Sequence, residues 1–297
     1  MTGHHNDRLA ISYGLGAVAL WSTVATAFKL SLEQLSPLQL VSVASLVSWL
    51  FFAALMALRD ELAGLTRIPR RDMILGCAIG AINPGLYYFL LFAAYDRLPA
   101  QEAMALNYTW ALTLPLLAAP LLGQRLSRTD IKAALISYCG VFIIATRGDV
   151  LGLKFADPLG VTLAVASTVL WGLCWIANTR HSLSPITGLF LNFSGSTPLL
   201  VIALLMTDQA TFTLGVGLLG GVYVGLFEMG LSFILWLNAM RLTSSSARIS
   251  TLIFLSPPLS LVFIAVLLKE PVRIYTLIGL GFILLGLLLQ HWPSKTA

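Results

Sequence analysis

Charge is what this chain has least of. Asp, Glu, Lys and Arg make up 10% of 297 residues, against 58% hydrophobic, where a soluble domain carries about a quarter charged. With a mean hydropathy of +0.87, a soluble protein is excluded. Histidine is nearly as scarce: His4, His5, His181 and His291 lie at the termini or between apolar runs, so they cannot form an intramembrane acid–base or metal cluster. The three cysteines, Cys77, Cys139 and Cys174, are widely spaced inside apolar runs. They give neither a disulfide framework nor a metal pattern, and read as small buried hydrophobes. There is no Asp pair, no Gly-x-Ser-x-Gly and no Cys–His set inside the runs. An enzyme is therefore not expected, nor is any cofactor or metal.

What is present is long apolar runs, each near the roughly 17–25 residues that cross a hydrocarbon core. The expected fold class is all-α, a polytopic membrane protein of ten transmembrane helices. The spans fall near 9–28, 38–58, 73–95, 101–122 and 131–146, then near 158–179, 184–207, 214–240, 246–268 and 274–292. The first run, Leu9 to Phe28, follows His4, His5 and Arg8 but is too long for a signal core and has no small-x-small site. It reads as a retained span. The longest polar stretch, Arg59 to Asp72, is only a loop. With the N-terminus inside, twelve of the eighteen Lys and Arg fall on the cytoplasmic side, which puts both termini there. The same clustering at run ends explains the net charge of +5 without nucleic acid.

An internal repeat organises the runs. Asn83-Pro84-Gly85-Leu86-Tyr87-Tyr88 answers Glu228-Met229-Gly230-Leu231-Ser232-Phe233 at a shift of 145. Arg97-Leu98 then meets Arg241-Leu242, Leu122-Gly123-Gln124 meets Leu268-Lys269-Glu270, and Gly140 meets Gly286. Two units follow, 1–148 and 149–297, each with five spans. An odd number of spans inverts the second unit relative to the first, the architecture of alternating-access transporters.

Leu20-Trp21 and Leu170-Trp171 open the two units, and Leu267-Leu268-Lys269-Glu270-Pro271 closes the ninth span. On these motifs and the five-plus-five plan, the chain resembles the EamA-type branch of the drug/metabolite transporter superfamily over nearly its whole length. Gln124 departs from the acidic residue that family commonly carries there, while Glu270 matches it. Within the branch the chain is similar to bacterial YddG-type exporters of aromatic amino acids.

The candidate substrate-binding residues are Trp21, Asn83, Tyr87, Asn107, Tyr108, Trp110, Trp171, Glu228 and Ser250. In the fourth span, Asn107 and Trp110 share a helix face with Leu114, and Tyr108 shares the adjacent one with Pro115. Helix–helix glue plus an interfacial aromatic is the structural alternative there. Glu228 is the one carboxylate deep within a run; it could bind an ammonium, carry a proton or hydrogen-bond between helices. Tyr87 is expected to face the cavity with Tyr108, and Tyr88 to point away. Trp171, Trp175 and Asn178 share a face of the sixth helix, the latter two near a membrane end. Pro115, Pro257 and Pro258 are candidate hinges, or simply kinks. Arg248 is expected to snorkel, and the Gly279-Leu280-Gly281 and Gly286 run to pack helices closely.

Phenols, indoles, amides and hydroxyls with one carboxylate and almost no interior cation disfavour a phosphate substrate, which wants Lys or Arg. They suit a small amphipathic solute, such as a zwitterionic amino acid. The preference for aromatic and other apolar amino acids is what the resemblance implies, as is export across a bacterial inner membrane. The partners are then a small-molecule substrate and the lipid bilayer. No protein partner is inferable, and the alternatives are an exporter of another small amphipathic metabolite or drug of the same superfamily, or a passive solute channel.

Overall fold

The computed structural model describes residues 6–123, 128–152, 157–178, 183–243, 249 and 252–291. Among them the chain is helical throughout, with no strand. Two uninterrupted rods come first, α1 (Asp7–Leu32) and α2 (Pro37–Leu58). The loop after them holds a short 3-10 helix, Leu62–Arg67. The third run comprises α3 (Arg70–Gly80) and α4 (Tyr87–Arg97), joined by a π-helical stretch, Ala81–Leu86. The fourth divides into α5 (Ala100–Asn107) and α6 (Trp110–Leu122). Next are α7 (Arg128–Ala145), α8 (Pro158–Asn178) and α9 (Pro185–Met206). A second π-helical stretch, Val224–Leu231, lies between α10 (Val216–Tyr223) and α11 (Ser232–Leu242). A 3-10 turn, Leu252–Leu255, enters α12 (Ser256–Leu267), and α13 (Ile274–His291) completes the described chain.

Six helical segments are long and apolar enough to cross a membrane: Asp7–Leu32, Pro37–Leu58, Arg70–Arg97, Ala100–Leu122, Ile186–Met206 and Val216–Met240. Four shorter apolar helices are Ile131–Ala145, Pro158–Cys174, Leu252–Leu267 and Ile274–Leu289. Polarity is arranged as a bilayer requires. Leu58, Ile74, Leu135, Leu205 and Leu219 are exposed on the outside, while Ser22, Ser45, Thr109, Ser137, Ser167 and Ser256 are buried between helices. In water such an apolar exterior would aggregate; in lipid it is the solvated face, and the chain is an integral membrane protein. Of the cysteines only Cys174 is buried. Cys77 is half-buried and Cys139 exposed, so the expectation of three buried thiols holds for one.

Lipid supplies no hydrophobic drive between helices, so close approach of small residues does the packing. A Cβ on Gly195 of α9 would lie 2.6 Å from the Cα of Cys77 in α3. Asn192, oriented so that its amide nitrogen donates, reaches the Gly76 carbonyl at 2.8 Å. In the α7–α13 pair, a Cβ on Gly279 would sit 2.7 Å from the Gly140 carbonyl. Gly286 packs on Ser137 and Ala133, whereas Gly281 faces no neighbour within 4 Å. The tenth-run glycines thus divide into two packing positions and one idle one.

Several helix boundaries are written locally. Ser36 and Gln39 form a capping box at the start of α2, followed by Pro37; Ser184 accepts from the Thr187 N–H at the start of α9, followed by Pro185. Both serines occupy a donor the helix would leave unpaired. Left-handed residues end α2, α6, α9 and α12 at Asp60, Gly123, Asp208 and Lys269. Only Gly123 adopts this conformation without a Cβ penalty.

The π-helical stretches have distinct causes. Pro84 lacks an N–H, and the residue before a proline is pushed out of the α region; Asn83 accordingly sits at φ −140°, ψ 116° inside the stretch. The second stretch contains no proline. There Ser48 of α2 brings its hydroxyl to 2.8 Å from the Gly225 carbonyl, and Ser232 donates to the Glu228 carbonyl. Widened helical turns leave carbonyls short of partners, and these hydroxyls meet them.

Candidate functional site

Aromatic rings from five separated runs meet in the interior. Trp171 of α8 stands at the centre. Its ring centroid lies 4.9 Å from Tyr87, 6.0 Å from Trp110 and 6.2 Å from Phe233 in a stacked arrangement. Phe233 in turn meets Trp21 edge-on at 6.3 Å, and Trp21 tilts against Trp236 at 5.2 Å. Tyr87 adjoins Tyr88 at 4.6 Å. Such edge-to-face and offset contacts suit the ring quadrupoles and add about 0.5–1.5 kcal/mol per pair beyond burial.

Polar groups flank this cluster. The Tyr88 hydroxyl donates to Oε1 of Glu228 at 3.0 Å, and among the described residues no group bonds to the buried Oε2. Asn107 donates to the Tyr87 hydroxyl and to Ser167 Oγ, each at 3.4 Å. Ser22 Oγ donates to Ser256 Oγ at 3.3 Å, and the Tyr108 phenol faces the same Ser256. Thr113 links to Thr168 at 3.0 Å and to Tyr138 at 3.2 Å. The result is a partly polar, aromatic interior in which one carboxylate oxygen has no partner among the described residues.

The structure thus brings Trp21, Tyr87, Asn107, Trp110, Trp171 and Glu228 into one connected group. Tyr108 packs against the same core and faces Ser256. Asn83 sits in the π-helical stretch just before Tyr87 and makes its mark through the backbone. Ser250, with Ser244, Ser245, Ser246, Arg248 and Thr251, lies outside the described residues, as do the side chains of Pro115, Trp175 and Asn178. Tyr88 does not point away: it holds Glu228. Phe233 and Trp236 were not singled out from the sequence either, although Phe233 is the repeat counterpart of Tyr88.

The proline positions also read differently in three dimensions. The fourth run breaks at Tyr108–Thr109, where Thr109 Oγ1 turns back onto the Leu106 carbonyl at 2.7 Å; Pro115 lies within α6. Pro257 and Pro258 fall in the first turn of α12, where a missing N–H is harmless. They start a helix, and the irregular backbone is the 3-10 turn before them.

One end of the bundle is tied by longer side chains. Gln101 donates to Glu270 Oε1 at 3.2 Å and to the Pro271 carbonyl at 2.9 Å, and accepts from the Arg273 N–H at 2.8 Å. Glu270 also accepts from the Ala100 N–H, a free donor at the start of α5. Glu102, 2% exposed, takes Arg147 at 3.0 Å and the Tyr275 hydroxyl at 2.8 Å. Lys29 donates to the Tyr95 carbonyl, and Arg97 pairs with Asp157 at 3.1 Å. Asp157 also accepts from the Gly160 N–H at 2.8 Å, and that bond first, then Arg97, holds its carboxyl below the usual value.

A bundle of apolar helices around a buried polar and aromatic interior is the build of a membrane transport protein. The profile of the EamA-like transporter family matches residues 8–146 and again 158–290, and the chain belongs to that family of transporters. Among curated relatives, an aromatic amino acid exporter YddG from Ancylobacter novellus is 26% identical, over 77% of this chain and 78% of its own. A probable terminal-alkyne amino-acid exporter from Streptantibioticus cattleyicolor is 26% identical, over 92% and 90%. An uncharacterized transporter from Clostridium kluyveri is 25% identical, over 89% and 86%. A crystal structure with a TM-score of 0.67 and 23% identity covers 95% of this chain and 96% of the other; it shares the fold.

Proposed function

We propose that this protein exports amino acids, aromatic and other apolar ones foremost, across a bacterial inner membrane by alternating access, and that it has no enzymatic activity. The observation that carries the reading is the ring cluster centred on Trp171, joined to Glu228 through Tyr87 and Tyr88. It offers aromatic faces for a side chain and a carboxylate for an ammonium. Two relatives named as amino-acid exporters support the substrate class.

On this proposal the chain is ten spans in two inverted five-helix repeats, 1–148 and 149–297, with both termini cytoplasmic. Support comes from the two successive family matches and from paired local features. Ser36-Pro37 and Ser184-Pro185 begin second and seventh spans that end at left-handed Asp60 and Asp208. Gly123 and Lys269 end the fourth and ninth in the same conformation, and both the third and eighth spans carry a π-helical stretch. Trp21 and Trp171, one per repeat, both touch Phe233. The substrate would then sit between the halves, where such repeats place it.

The test is a transport screen across labelled amino acids in proteoliposomes. Phenylalanine or tryptophan flux should saturate and fall sharply in Trp110→Ala and Tyr108→Ala. Undiminished flux in both variants sinks the site; flux that never saturates favours a passive channel.

A further inference from the structure

We infer that the Tyr87 hydroxyl holds the substrate's α-carboxylate, with Asn107 as the residue that turns its proton toward the substrate. This role rests on the ring cluster being the substrate site, and it names the group that reads the second charge of an amino acid.

A hydroxyl has one proton to give, and around Asn107 the protons can be traced. Ser167 spends its own on the Ala164 carbonyl at 2.7 Å, so toward Asn107, at 3.4 Å, its oxygen can only accept. That requirement orients the Asn107 amide with its nitrogen, not its oxygen, toward Ser167 and Tyr87. The Tyr87 oxygen lies 3.4 Å from the same nitrogen and is therefore an acceptor too. Its proton points away from Asn107 and meets no acceptor among the described residues, although Tyr87 is only 4% exposed.

The neighbouring phenol is the reverse. Tyr88, whose ring lies 4.6 Å from that of Tyr87, gives its proton to Oε1 of Glu228 at 3.0 Å. Oε2 of Glu228 is buried and has no partner among the described residues. Consecutive residues of α4 thus govern an unspent donor and an unspent acceptor. Leaving either empty in a low-dielectric interior is costly. A zwitterion fills both, with its ammonium on Glu228 and its carboxylate on Tyr87. Asn107 improves the donor in two ways. An N–H given to the phenol oxygen polarises the phenol O–H, and it closes the rotor position in which Tyr87 would spend its proton on the amide. The Trp171 ring, 4.9 Å from Tyr87, is left for the apolar side chain.

The experiment compares labelled phenylalanine and phenethylamine, which differ only in the carboxylate, by scintillation proximity binding to purified full-length protein in detergent. The parent should bind phenylalanine about 10-fold to 100-fold tighter, the worth of a hydrogen bond to a charged group. Tyr87→Phe keeps the ring and should erase most of that preference by weakening phenylalanine, with phenethylamine changed by less than about 3-fold. Asn107→Leu should shrink the preference about 3-fold to 10-fold, whereas a purely structural loss would weaken both ligands alike. Phenethylamine bound as tightly as phenylalanine by the parent overturns the inference, whether or not any variant folds. So does a preference that survives in monodisperse Tyr87→Phe, or an equal loss of both ligands there. A preference unchanged in Asn107→Leu overturns the positioning role. In each of these cases, phenylalanine binding that Trp171→Ala abolishes keeps the ring cluster as the substrate site. If neither ligand shows protein-dependent binding, that site and the inference fall together.

Discussion

Replacing Tyr88 by Phe isolates the contact that joins the ring cluster to the buried carboxylate. The substitution keeps the ring, and with it the contacts to Tyr87 at 4.6 Å and Phe92 at 5.5 Å; it removes the hydroxyl that donates to Glu228 at 3.0 Å. Hydrogen bonds between membrane helices average about 0.6 kcal/mol and reach about 1.7, while those to charged groups in soluble proteins run about 1.5–3. With no other donor to Glu228 among the described residues, this bond should lie near the top of the membrane range, at about 1–1.7 kcal/mol. In a Glu228→Gln background the hydroxyl meets an amide oxygen instead, and the same Tyr88→Phe change should cost about 0.5 kcal/mol. The double-mutant cycle therefore predicts a coupling near 1 kcal/mol, readable from equilibrium unfolding in micelles by all four proteins. A coupling below about 0.3 kcal/mol would refute the reasoning, since it would mean that Tyr88 and Glu228 do not hold one another.

Gly195→Leu should abolish monodisperse expression, because even a Cβ there would lie 2.6 Å from the Cα of Cys77 and overpacking is destabilising; a normal size-exclusion profile would contradict the α3–α9 packing. Glu102→Ala removes the partner of Arg147 and Tyr275. With the Arg147 side chain 44% exposed, solvent screening holds the expected loss to about 1–2 kcal/mol in thermal unfolding. Asp157→Ala removes both a helix N-cap and the Arg97 pair, at a cost of about 1 kcal/mol. Because the folded-state value of Asp157 is lowered, its contribution is present at neutral pH and fades as pH falls through that value, below about pH 4. The melting-temperature gap between the parent and Asp157→Ala should therefore close in acid, and a gap independent of pH would count against the pair.

Apolar run length and small-residue placement made much of the architecture readable in advance, since both answer directly to the bilayer. The Leu-Trp pairs and Glu228 stood out for the same reason: polar and amphipathic groups are rare at depth and need a partner. What escaped is phase. Each π-helical stretch slips the helical register, so faces extrapolated across 81–86 put Tyr87 toward the polar interior and Tyr88 away, whereas Tyr88 reaches Glu228. Phe233 and Trp236 follow the second such stretch and were passed over with it. The break in the fourth run escaped for a different reason. Proline at 115 is the conspicuous residue, but Thr109 competes for backbone carbonyls and the chain parts there. Pro257 and Pro258 look like kinks in an apolar string and prove to be helix starters once the 3-10 turn before them is seen.

The most direct test of the central claim, that substrate passes through the Trp171 cluster by alternating access, is counterflow of labelled phenylalanine in proteoliposomes preloaded with unlabelled phenylalanine. The account predicts a transient accumulation of label in the parent protein that disappears in a monodisperse Trp171→Ala variant. Equilibration without any transient in the parent, or an undiminished transient in the variant, would contradict it.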